Sequence, residues 1–136
     1  MRRWRAGLRW LLALVYAGVG VVHLASPEGF LPIMPDWVPY PRQVVLLTGV
    51  WELLGAAALA WPSARVNRWG GFAMAAYAIA VYPANIKHAV DSVELAGQTL
   101  GWGYHGPRLA FQPVFVWWAL WSTAIITWPF SDRTLR

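Results

Sequence analysis

Cysteine is absent from this 136-residue chain. Disulfide relay chemistry, thiolate metal sites and cysteine nucleophiles are therefore excluded within it. Charge is scarce as well. Only 12% of residues are Asp, Glu, Lys or Arg, against a usual ~25% in soluble domains. No long internal repeat and no low-complexity segment is present, and the length has room for one domain.

Apolar residues take the place of the missing charge. They make up 58% of the chain, and the mean hydropathy is +0.41. Eleven tryptophans are too many for a small soluble core and suit a protein with two membrane–water interfaces. The formal net charge of +5 would suggest a nucleic-acid partner only if its distribution were ignored. The basic residues sit in short segments between apolar runs, which points to membrane topology.

Four apolar runs are legible, at about 9–25, 43–61, 69–86 and 109–130. Each approaches the length that crosses the ~30 Å hydrocarbon core of a bilayer as a helix. The first follows a basic start (Arg2, Arg3, Arg5, Arg9) and resembles a signal peptide in outline. His23 and Ala25 would occupy the small-residue cleavage positions, so the run reads as a retained first helix. Ser26–Arg42 holds five prolines, which excludes a long helix. Ser26-Pro27-Glu28 has the chemistry of a short helix start, through about Ile33. This segment predicts an ordered outer cap. Pro62 to Arg68 reads as a tight basic turn. The third run is rich in glycine and alanine, so backbones can approach closely, and Pro83 predicts a kink. An apolar stripe continues through Ala89, Val90, Val93 and Leu95, with Gly97 as a stop. Gln98–Gly106 reads as a glycine-rich loop, and Gly106-Pro107 as the opening of the fourth helix. The predicted fold is an all-α membrane protein: a four-transmembrane-helix bundle with a proline-rich outer loop and a kinked helix 3.

Orientation follows the basic residues. Eight (Arg2, Arg3, Arg5, Arg9, Arg65, Arg68, Arg133, Arg136) lie on one side and three (Arg42, Lys87, Arg108) on the other. Both termini are therefore expected in the cytoplasm.

Against this apolar background a few polar residues stand out. Glu52 lies in the middle of the second run, where a carboxylate is costly and functional by default. Its helical neighbours Thr48, Gly49, Gly55 and Ala56 form a small-residue face, which predicts that it points into the bundle. His23, Asn85, Arg108 and Gln112 all fall in the outer half. That one-sidedness points to an outward-facing polar pocket, not a through-pore, with Arg108 or His23 as the partner of Glu52.

Each residue also has a structural reading. Glu52 could be glue, bonded to Thr48, Trp51 or a neighbouring helix. His23 could be a boundary residue. Asn85 could satisfy the backbone group that Pro83 frees. Arg108 could snorkel, and Gln112 could bond across helices. His23, His88 and His105 have no metal-ligand spacing. An outer site of His88 and His105 with Asp91 and Glu94 is the one metal alternative, and no metal is expected.

The stretches GVVHLASPEGFLPIMPDWVPYP, TGVWELLGAAAL, YPANIKHAV and RLAFQPVFVWW resemble the motifs of the DoxX-like family of small four-helix membrane proteins, over about residues 8–128. The resemblance implies a four-helix transmembrane bundle in a prokaryotic plasma membrane. It carries over His23, Pro27, Glu52, Asn85, Arg108 and Gln112 as recurring polar positions. Lys87-His88 departs from the methionine that commonly follows the asparagine motif. The resemblance implies little about activity, although the family takes its name from a subunit associated with quinone-linked sulfur oxidation. The intramembrane carboxylate, the one-sided polar cluster and the flanking aromatics point to an accessory subunit of a membrane redox system, with Glu52 handling protons, His23 and Arg108 orienting a headgroup, and a quinone-like or lipid headgroup as ligand. A membrane-protein assembly factor or scaffold, with a protein partner or a second copy, is the alternative. A small transporter is a third, although no paired broken helices support it.

Overall fold

The structure is a computed structural model and describes residues 2–91 and 101–129. All regular structure among them is helical. In order these are α1 (Arg2–Ala25), a 3-10 helix (Pro27–Ile33), α2 (Pro41–Ala60), α3 (Ala64–Ala80), α4 (Tyr82–Val90) and α5 (Trp102–Ser122). Two helices, α1 and α2, are long and apolar enough to cross a membrane.

Helix directions follow from cross-links between elements. Arg42, in the first turn of α2, pairs with Glu28, just past the end of α1. The start of α2 therefore lies where α1 stops, and the two helices run antiparallel. Trp118, late in α5, donates its indole N–H to the Leu8 carbonyl of α1 at 2.9 Å, so α5 is antiparallel to α1. Gly71, midway along α3, packs on Thr123, just past α5, while Ala78, near the end of α3, meets Gln112, midway along α5. The result is four rods running alternately up and down: α1, α2, α3 continued by α4, and α5. The 3-10 helix covers one end, the cap end. Lys87 of α4 clamps it there through the Asp36 carboxylate (2.6 Å) and the Met34 carbonyl (2.8 Å).

The third rod is broken at Val81, as the proline pattern predicts. Pro83 has no N–H to continue the ladder, so α3 ends at Ala80 and α4 restarts at Tyr82. Other boundaries differ from the sequence reading. The basic start is part of α1, since arginine is a good helix former. The turn after α2 closes by Ser63, and Arg65, Asn67 and Arg68 are helical. The buried Asn67 amide makes this tight turn work. It donates to the carbonyls of Ala58 (2.9 Å), Leu59 (3.1 Å) and Trp61 (2.7 Å), capping the end of α2. Gly103, Gly106 and Pro107 lie inside α5, not at its mouth. At the other end α5 stops at Ser122. Ala124 takes a positive φ of 58°, and the Ile125 N–H returns to the Leu120 carbonyl at 2.9 Å, a left-handed helix stop. The expected fourth span, 109–130, therefore runs eight residues past the end of α5, which begins seven residues before that span. Val93, Leu95, Glu94, Gly97, the opening of the 98–106 loop and the tail 131–136 lie outside the described residues.

Small residues take much of the interior: Gly49, Gly55 and Ala56 of α2, and Gly70, Gly71, Ala75 and Ala78 of α3 are buried, beside the large side chains of Leu12, Tyr16, Leu59, Met74 and Trp121. Bulky apolar side chains lie outside, among them Leu14 and Leu47, each 67% exposed, with Leu54, Phe72 and Ile79. Most exposed tryptophans lie toward the two ends of the rods, Trp4, Trp10, Trp61, Trp69 and Trp128 at one and Trp37 and Trp102 at the other, while Trp51 is exposed midway along α2.

Candidate functional site

The site begins with two glycines. A Cβ on Gly20 would lie 2.9 Å from the Gly49 carbonyl and 3.1 Å from Glu52 Cβ. A Cβ on Gly49 would lie 2.9 Å from His23 Cβ. Each glycine thus makes room for the residue one turn along the facing helix. Because α1 and α2 are antiparallel and Cβ bonds tilt toward a helix's own N-terminus, His23 and Glu52 lean toward each other across this contact. His23 Nδ1 and Glu52 Oε2 meet at 2.6 Å. The other oxygen, Oε1, accepts the Tyr77 hydroxyl of α3 at 2.8 Å. Glu52 is 3% exposed, so it faces the bundle, and His23 rather than Arg108 is its partner. Neither local reading of Glu52 holds: Thr48 donates to the Val45 carbonyl, and Trp51 is half-exposed on the outside.

Arg108, Asn85 and Gln112 form a second group, nearer the cap end. Arg108 Nη2 donates to Asn85 Oδ1 at 2.7 Å, and its Nη1 donates to His88 Nδ1. Asn85 Nδ2 donates to Gln112 Oε1 at 3.1 Å, and Gln112 Nε2 donates to the Ala78 carbonyl. Gln112, not Asn85, thus takes a carbonyl at the break in the third rod. Asn85 is left to join α4 to α5. Tyr104 packs beside the Arg108 guanidinium, 5.9 Å from it.

Both groups sit in the wall of one cavity of about 790 Å³. His23, Glu52, Asn85, Arg108 and Gln112 all line it, so the five sequence-derived residues converge on one space. Its other walls are mainly apolar, including Val19, Val45, Phe111 and Phe115, and the cap contributes Phe30, Ile33 and Met34. The Phe30 ring lies on the His23 ring with centroids 4.1 Å apart. Pro27, the remaining carried-over position, is buried in the cap and makes no part of this lining.

Tyr77 was missed by sequence reasoning, and His88 was read only as a member of an outer metal alternative, not as the acceptor of an Arg108 N–H. Tyr77 carried a signal: a lone hydroxyl among alanines on an inward face must find a partner. His88 packs against His105 with ring centroids 4.6 Å apart. Among the described residues no group of three or more His, Asp or Glu side chains could hold a metal ion.

A family described as a domain of unknown function (DUF8561) matches residues 12–123. The chain belongs to the DUF8561 family. The matched range contains every residue of both polar groups. No curated protein and no solved structure matches the chain.

Proposed function

We propose that this DUF8561 chain is an integral membrane protein whose four rods span the bilayer and enclose an amphiphilic ligand, a quinone-like ring or a lipid headgroup, in the cavity beneath the cap. The spanning reading rests on the exposed belt of large apolar side chains around the rods. It rests also on rod lengths that approach or exceed ~30 Å at 1.5 Å per residue, with α4 extending the shorter α3. The tryptophans toward the two ends fit the headgroup levels.

The ligand reading is carried by one observation: a largely apolar cavity of about 790 Å³ with two separate polar groups in its wall. A few placed polar groups in an apolar concavity are the usual form of a small-molecule site. Glu52 is the proton-handling residue of this reading, with His23 and Arg108 orienting the ligand. A place as an accessory subunit beside a membrane redox system rests on the buried carboxylate, the polar groups around the cavity and its flanking aromatics. No residue of the chain is itself a redox centre, so electrons would come from the ligand or a partner. An assembly role would use the polar seam to grip another protein's helix. The inward bonding of Glu52, Asn85 and Gln112 favours the ligand reading over it.

The test is extraction of protein purified in mild detergent, followed by mass spectrometry of the lipid fraction. Enrichment of a quinone or one lipid class over bulk membrane is expected, with loss of that enrichment in Glu52→Gln. A fraction matching bulk membrane, together with no spectral response to added quinol or quinone, would contradict the reading.

A further inference from the structure

The inward stripe of α1 ends on charge. Leu12, Ala13 and Tyr16 of that helix are core residues. Counting back along the same face in steps of three and four reaches Arg9, Leu8 and Arg5. Both arginines are half-buried, whereas Arg3 beside them is exposed. The Arg5 guanidinium lies over the buried Trp121 ring of α5, 4.9 Å from its centroid. The Leu8 carbonyl, between the two arginines, is taken by the Trp118 indole. Nε and Nη2 of Arg5 and Nε of Arg9 are sealed from solvent and have no hydrogen-bond partner. Nη1 of Arg5 and both terminal nitrogens of Arg9 stay open. Among the described residues no carboxylate lies at this end of the rods: Glu28, Asp36 and Asp91 are at the cap end and Glu52 is midway along α2.

A snorkelling arginine lays its stem on apolar surface and keeps its head in water. Here part of each head is withdrawn from water, and no protein acceptor replaces the water. Two adjacent cations in that state are costly without a counter-charge, and an anion at the open nitrogens relieves the cost. Phosphate fits them: it accepts from both N–H groups of a guanidinium fork, and arginines four apart on a helix are close enough to share it. Trp4, Trp10 and Trp128 are exposed at the same end, where lipid headgroups would lie. Resting on the membrane-spanning reading above, we infer that the Arg5–Arg9 face, at the seam of α1 and α5, binds the phosphate of an anionic phospholipid. A zwitterionic lipid is disfavoured, because its ammonium group brings a third positive charge to the site.

The test is native mass spectrometry of delipidated protein in detergent, titrated with dioleoyl-phosphatidylglycerol, dioleoyl-phosphatidylcholine or inorganic phosphate. Phosphatidylglycerol is expected to bind most tightly, and its affinity to fall about fivefold for each arginine removed in Arg5→Gln and Arg9→Gln. The double variant Arg65→Gln, Arg68→Gln removes two exposed charges from the same end and should keep the lipid preference. Equal binding of the two lipids, or an unchanged preference in a folded Arg5→Gln, Arg9→Gln variant, would overturn the inference while leaving the spanning reading in place. Inorganic phosphate binding as tightly as phosphatidylglycerol would overturn the lipid assignment. A protein that stays dispersed without detergent and does not enter vesicles would overturn both readings. Where the arginine variants do not fold, wild-type protein is crosslinked to phosphatidylglycerol carrying a photoreactive headgroup. Attachment within residues 2–12 or 117–128 is expected, and attachment confined to residues 62–69 would overturn the inference.

Discussion

At the residue scale, Glu52 is defined by the two donors it accepts. Tyr77→Phe removes one of them and leaves a buried carboxylate oxygen unpaired. The expected cost is about 1–3 kcal/mol, visible as a lower melting temperature in detergent, with ligand affinity reduced as His23 and Glu52 lose their fixed geometry. An unchanged melting temperature would mean that water or another group takes the hydroxyl's place. Asn67 is the structural counterpart. Its amide serves three carbonyls at the end of α2, so Asn67→Ala is expected to destabilise by about 1–3 kcal/mol and to leave ligand binding untouched. The pair of variants separates a residue that holds the fold from one that also holds the site.

At the scale of elements, the α1–α2 contact sets the position of the site. Gly49→Leu would force the helices apart at the point where His23 and Glu52 meet. Loss of ligand binding is expected with helical content retained by circular dichroism; binding at wild-type affinity would show that the close approach is dispensable. The break at Val81 positions the other group. Pro83→Ala restores an N–H at that position and permits a continuous third helix. It should draw Asn85 away from Gln112 and weaken binding.

What was legible in the sequence follows from the same physics. Helix existence could be read from uninterrupted apolar runs, the kink from Pro83, and the inward face of Glu52 from the small residues three and four positions away. The five polar residues could be placed by depth, which is enough to bring them to one cavity. Pairing was not legible, because choosing His23 over Arg108 depends on the tilt of Cβ bonds across an antiparallel contact, which no single helix displays. The end of α5 was hidden for a different reason. Ala124 adopts a left-handed conformation without being glycine, and the apolar residues beyond it fold back, so hydropathy alone runs past the stop. Asn67 looked like part of a polar turn because its role lies in the carbonyls of the preceding helix.

At the scale of the whole molecule, the proposed spanning arrangement rests on the four rods, the large apolar side chains exposed around them and the tryptophans toward their ends. The absence of cysteine makes topology directly measurable, since a single introduced cysteine has no background. Trp37→Cys, in the cap, is expected to react with an impermeant maleimide added outside whole cells. Ser63→Cys, in the α2–α3 turn, is expected to react only after permeabilisation. The reverse pattern would invert the orientation, and reaction of both from outside would contradict a spanning bundle.

The central claim is that the capped cavity holds a ligand between its two polar groups. An experimental structure of the protein in nanodiscs, determined with and without decyl-ubiquinone, tests it most directly. The account predicts added density inside the cavity, reaching from His23 Nε2 to the Arg108 guanidinium. Density confined to the outer, lipid-facing surface of the rods, with the cavity unchanged by the ligand, would contradict it.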